Sequence, residues 1–156
     1  GRTQTEFVPN DFITREEFVK LVVTSLSLNV VGDDMAFEDV SEDDWFYAYV
    51  RSAYNAEIIN GISNTEFGTG QHITRQDLAV IVARAAYIAG VEFEEKNEAI
   101  TFTDAENISD YAVESVSVLQ RTGVLTGDGT GAFKPNDNAT RAEAAKVVYM
   151  IYRHIK

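Results

Sequence analysis

The sequence predicts an all-α fold, and three observations carry that prediction. The passage FVPNDFITREEF at 7–18 returns as FGTGQHITRQDL at 67–78 and as FKPNDNATRAEA at 133–144. Thr14, Thr74 and Thr140 fall in register across the copies, as do Arg15, Arg75 and Arg141, at spacings of 60 and 66 residues. A helix-start signal sits at each Thr, and apolar residues follow it at intervals of three and four.

Thr14 with Glu17, Thr74 with Asp77 and Thr140 with Glu143 each read as Thr, two residues, then an acid. That is a capping box, a shortened one in the case of Asp77: the hydroxyl accepts from the backbone of the third helical residue, and the acid reaches back to the Thr amide. Ile13, Ile73 and Ala139 precede the caps, and Phe18, Leu78 and Ala144 stand four positions into each helix, so a hydrophobic staple spans the first turn. Leu21, Val22 and Leu26, then Ile81, Val82 and Ala86, then Val147, Val148 and Tyr152 extend one buried stripe per helix. None of these helices has a core of its own, and the simplest solution packs the three against one another.

A second block lies upstream of the later two copies. Phe37–Phe67 aligns with Phe102–Phe133 given one extra residue before Tyr111, which matches Asp39 to Asp104, Trp45 to Tyr111 and Gly61 to Gly127. It predicts a peripheral helix opening near Asp43 or Ser109, with Trp45, Val50 and Ala53, or Tyr111, Val116 and Leu119, directed inward. A lone aromatic on such a face is usually core, and stacking on a sugar ring is the second use. Gly123 fits a left-handed C-cap, whereas its counterpart Glu57 implies strain or a different ending. The whole chain, 1–156, is expected to be one module: the second half of a first repeat at 7–29, a second repeat at 37–90 and a third at 102–156. The acidic stretch from Gly90 to Thr101 reads as a linker.

Asp and Glu total 25 against 13 Lys and Arg, a formal net charge of −12. Without a basic run to offset it, that balance argues against nucleic acid and anionic membranes as partners. No apolar run approaches the roughly 18 residues of a membrane span. The absence of cysteine excludes disulfides and thiolate metal sites, and suits an exported bacterial protein. His72 and His154 lack ligand partners, Glu42–Asp44 lacks the spacing of a calcium loop, GDGTG at 127–131 is no phosphate loop, and no nucleophile motif is present. Neither cofactor nor catalytic residue is expected.

The arginines remain. Arg15, Arg75 and Arg141 occupy the first helical position, where a cation opposes the helix dipole at about 0.3–1 kcal/mol. Two readings stay open: each pairs with a nearby acid, or each marks an anion site where helix amides and a planar guanidinium fork meet a carboxylate.

ITREE, ITRQD and ATRAE, with the upstream Asp, the aromatic and the glycine-bearing loop ending in Phe, resemble the S-layer homology repeat of bacterial surface proteins over nearly the whole chain. The resemblance implies a pseudo-threefold arrangement, with a central bundle of the TRxE helices and peripheral helix-loop prongs. It also implies an extracellular module at the cell wall or S-layer, anchored non-covalently to secondary cell-wall polymer, often through a pyruvylated sugar in grooves between repeats. Carried onto this chain, the ligand-binding positions are Arg15, Arg75, Arg141, Asp39, Trp45, Gly61, Asp104, Tyr111 and Gly127. Tyr111 replaces the usual Trp, and Gly70 and Gln71 replace the Asn and Asp of the other copies, which makes the groove of Arg75 the expected weakest. The alternative function is a protein–protein interaction or assembly module of the cell surface.

Overall fold

The computed structural model describes residues 6–155. Five α-helices and no regular strand are found among them: α1 (Arg15–Ser25), α2 (Tyr47–Asn55), α3 (Arg75–Ile88), α4 (Val113–Arg121) and α5 (Arg141–His154). Short 3-10 turns at Ala105–Asn107 and Asp110–Ala112 lead into α4.

Thr14, Thr74 and Thr140 cap α1, α3 and α5, each hydroxyl accepting from the amide of Glu17, Asp77 or Glu143. The reciprocal half of the box is found at Thr140, whose amide donates to Glu143 at 2.9 Å. Glu143 closes the box with one oxygen while the other meets Arg75, whereas both oxygens of the shorter Asp77 are taken, by Arg15 and Tyr111, and Glu17 pairs with Arg141 without reaching back to the Thr14 amide.

The residues ahead of the caps close a ring. Ile13 N–H donates to Ala139 O, Ala139 N–H to Ile73 O, and Ile73 N–H to Ile13 O. Around it, the amides of Arg15, Arg75 and Arg141 donate to the carbonyls of Gln71, Asp137 and Asp11, so first-turn amides that no helix can satisfy find partners in a neighbouring repeat. Helix α5 packs against α1 and α3, while α2 lies on α1 and α4 on α3. One apolar core joins all five helices through Phe18, Val50, Leu78, Leu119 and Val147.

Three expectations need correction. Trp45 and Tyr111 are 56% and 59% exposed rather than core. Helices α2 and α4 begin only at Tyr47 and Val113, so the next residue in sequence, Phe46 or Ala112, is the one that turns inward. Leu21 and Tyr152 are likewise exposed. Their aligned partners, Ile81 and Ala86, lie beneath the Asn60–Ile62 segment and beside α4. The 90–101 stretch is not slack: the amides of Lys96 and Asn97 both donate to Arg121 O, a carbonyl that the end of α4 leaves unpaired.

The helix ends agree with the sequence more closely. Gly123 sits at φ +72°, and Glu57 takes the same left-handed position at φ +59°. Ile58 N–H and Val124 N–H then close back onto Ala53 O and Leu119 O.

Candidate functional site

Internal pairing accounts for the three arginines. Arg15, Arg75 and Arg141 are 5%, 9% and 9% exposed. Their Nε atoms donate to Phe67 O (2.9 Å), Phe133 O (2.9 Å) and Phe7 O (3.0 Å). Each Nη1 pairs with the capping acid of another TRxE helix: Arg15 with Asp77 at 2.7 Å, Arg75 with Glu143, Arg141 with Glu17. The acid sits at the positive end of its own helix and neutralises the incoming cation, which removes the dipole objection. A left-handed residue after each Phe, Val8 (φ +49°), Gly68 (+92°) or Lys134 (+59°), turns the chain beside the arginine. The guanidinium carbon lies 5.3, 5.0 or 5.7 Å from the centroid of Phe67, Phe133 or Phe7. The recurring Phe was visible in the sequence; its role as both carbonyl partner and ring partner was not.

Asp39 and Asp104 act on the loops. Asp39 accepts from the amides of Phe67, Gly68 and Thr69, each at 2.8 Å, and Asp104 from those of Phe133 (2.9 Å) and Lys134 (2.8 Å). Burial pushes both carboxyls up, but these amides outweigh it and hold both below the ordinary carboxylate value. Gly61 and Gly127 allow each loop to close. A Cβ at Gly61 would stand 2.5 Å from Glu66 O, and one at Gly127 2.5 Å from Ala132 O. The altered Gly70 and Gln71 lie against α1 rather than Arg75, since Gln71 O accepts from Arg15 N–H and the Gly70 amide faces Glu16.

Two related grooves open beside these arginines. The first, about 400 Å³, lies between the Asn60–Ile62 segment and α3, and holds Arg15, Asp77, Arg84 and Tyr111. Tyr111 donates to Asp77 Oδ1 at 2.6 Å, while Asp77 Oδ2 takes Arg15 Nη1. Burial and then this bond to Asp77 push the Tyr111 hydroxyl up to about 12, so it remains a donor. Arg15 Nη2 has no protein partner among the described residues. Arg84, absent from the sequence expectations because Thr24 and Met150 stand at its aligned positions, makes only a 3.5 Å contact to Ile58 O. Its signal was its spacing, seven residues after Asp77 on one helix face.

The second groove, about 280 Å³, holds Arg75 with Asp128, Lys134, Asp137, Glu143 and Lys146. Here Arg75 Nη2 is taken by Thr126 O at 2.8 Å, and no aromatic wall faces it among the lining residues. Cations exceed acids in the first groove and equal them in the second. The third arginine, Arg141, shares its Glu17 with α1; on the same helix Lys20 lies 5.5 Å from the Trp45 ring centroid. Among the described residues no group of three His, Cys, Asp or Glu is placed to hold a metal ion, and no helix is long and apolar enough to cross a membrane.

The family model described as the S-layer homology domain matches residues 36–79 and 101–145. An amylopullulanase of Thermoanaerobacterium thermosulfurigenes is 34% identical over 96% of this chain and 8% of its own length. The exoglucanase XynX of Acetivibrio thermocellus is 32% identical over 96% of the chain and 14% of its length. A surface-layer 125 kDa protein of Lysinibacillus sphaericus is 31% identical over 95% of the chain and 13% of its length. The chain thus spans a small part of each of these relatives.

Proposed function

Because the chain belongs to the S-layer homology family, whose domains anchor surface proteins to the cell wall, we propose that it is a wall-anchoring module that binds secondary cell-wall polymer through the carboxylate of a pyruvylated sugar beside Arg15. Like its surface-layer relatives, it works outside the cell. The observation that carries the ligand assignment is the charge of the first groove: in a chain of net charge −12, Arg15 and Arg84 face a single lining acid, Asp77. An anionic group repelled by most of the surface finds a local well there.

Arg15 has one terminal nitrogen to offer, and the Tyr111 ring, 59% exposed, supplies a wall for the sugar. The groove of Arg75 does not combine these features, since Thr126 O takes its Nη2 and no aromatic residue lines it. The test changes the polymer instead of the protein, because Arg15 also serves the fold. Sacculi with native polymer are expected to retain the chain, and sacculi stripped of pyruvate to release it. Equal retention by the two preparations overturns the pyruvyl assignment.

A further inference from the structure

The groove at Arg15 does not end at Tyr111. Arg84 and Tyr111 also line a second cleft, about 600 Å³, that runs between α3 and α4 past Tyr87 and Phe93. Tyr87 is 84% exposed on its wall. Its aligned positions are Ser27 and Arg153, and those of Arg84 are Thr24 and Met150, so the shared repeat architecture does not require this Arg and Tyr one turn apart. Arg84 has no ion-pair partner among the described residues and only the 3.5 Å contact to Ile58 O, at the outer limit of a hydrogen bond. A guanidinium held at the junction of two clefts, with donors unspent, is a recognition feature without a folding role.

Resting on the anchoring function proposed above, we infer that the α3–α4 cleft is an extension subsite that binds the next sugars of the same glycan, uncharged ones, stacked on Tyr87 and hydrogen-bonded to Arg84 at the junction. Three observations converge on this occupant. The cleft is continuous with the carboxylate groove through Arg84 and Tyr111. From Asp77 to Tyr87 the shared wall runs about 15 Å along α3, longer than a single sugar ring. Glu57 and Glu114 line the cleft, so a second anion is repelled while hydroxyl groups find acceptors. The exposed Tyr87 face takes the apolar face of a pyranose, for which an aromatic ring has a flat match and little conformational freedom to lose. The first cleft selects the charged terminal sugar, and the second selects its neutral neighbours.

The experiment is a calorimetric titration of the full chain with a mono-, di- and trisaccharide that share the terminal pyruvylated sugar and continue with neutral sugars. The trisaccharide is expected to bind at least tenfold more tightly than the monosaccharide. Tyr87→Ala and Arg84→Ala are each expected to remove most of that gain. Tyr149→Ala, an exposed tyrosine on α5, leaves all three affinities at the parent's values. A trisaccharide carrying a carboxylate on its second sugar is expected to bind more weakly than the neutral one. Equal affinity for the mono- and trisaccharide, a gain that survives both substitutions, or tighter binding of the doubly charged sugar overturns the extension subsite and leaves the anchoring function standing. Binding of no fragment overturns both.

Discussion

The second and third repeats build one loop from different parts. Residues 61–67 and 127–133 have equal length and equivalent closing bonds, Ile62 N–H to Glu66 O and Asp128 N–H to Ala132 O. Asp39 clamps the first with three amides, whereas Asp104 clamps the second with two, because Pro135 stands where Thr69 supplies an N–H. The preceding helices end on Glu57 in one repeat and Gly123 in the other, in the same left-handed conformation. A few backbone hydrogen bonds fix the shape and tolerate substitution around them. The groove walls, which the shape does not need, diverge: Arg15 has Arg84 and Tyr111 beside it, and Arg75 has Asp128 and Asp137. Common geometry therefore reports the fold, and the proposed ligand assignment rests on the divergence in wall charge.

The largest expected effect breaks both repeats and separates them in binding. Arg15→Ala and Arg75→Ala each take the guanidinium from a carboxylate that keeps only a neutral donor, Tyr111 at Asp77 or Thr140 at Glu143, and leave a phenylalanine carbonyl without its donor, at a cost of about 2–4 kcal/mol. Urea denaturation is expected to show losses of similar size, the one from Arg75→Ala larger because Thr126 O also loses its donor. Retention of the folded fraction on pyruvylated sacculi is expected to fall at least tenfold for Arg15→Ala and to hold for Arg75→Ala. Equal loss of binding from the two variants erases the charge distinction between the grooves.

The clamps should rank by their amides. Asp39→Asn is expected to cost about 1–3 kcal/mol near neutral pH, and Asp104→Asn less, because a neutral amide side chain replaces a charged acceptor of three bonds in one case and two in the other. Both carboxyls titrate lower in the folded state than the ordinary value near 3.9. Their contribution is thus complete above that value and is lost as pH falls through it towards the lower folded value. The gap between parent and Asp39→Asn should narrow below about pH 4. A gap independent of pH down to acid unfolding removes the charged clamp from the account.

What the sequence made legible was local. The three Thr caps, the buried stripe from Phe18 and Leu78 inward, and the left-handed Gly123 rest on contacts within a few residues, and the structure has each of them. What it hid was relational. That Glu17, Asp77 and Glu143 serve the arginines of other repeats depends on how the capped helices assemble, which spacing along one helix does not encode. Trp45 and Tyr111 read as core because apolar periodicity marks a face but not the first residue of the helix, and helices that start four positions later than expected, at Tyr47 and Val113, leave both exposed. Arg84 escaped because repetition marked the other arginines, and Arg84 does not repeat.

The smallest effect makes one repeat resemble the other at a single residue. Glu57 holds φ +59° at the end of α2, where its counterpart Gly123 holds φ +72° at no steric cost. The capping bonds, Glu57 N–H to Tyr54 O and Ile58 N–H to Ala53 O, use only backbone and survive substitution. Glu57→Gly relieves the left-handed strain of a side-chain-bearing residue, of order 1 kcal/mol, and gives part of that back through the greater freedom of glycine in the unfolded chain. A net stabilisation of about 0.5 kcal/mol is expected in urea. The reverse change, Gly123→Ala, should cost about 1 kcal/mol from strain alone, because a Cβ there meets only Asn97 Nδ2 at an unstrained 3.5 Å. If Glu57→Gly destabilises instead, the Glu57 carboxylate has a folded-state partner of its own, and the two helix ends are alike in backbone but not in energy.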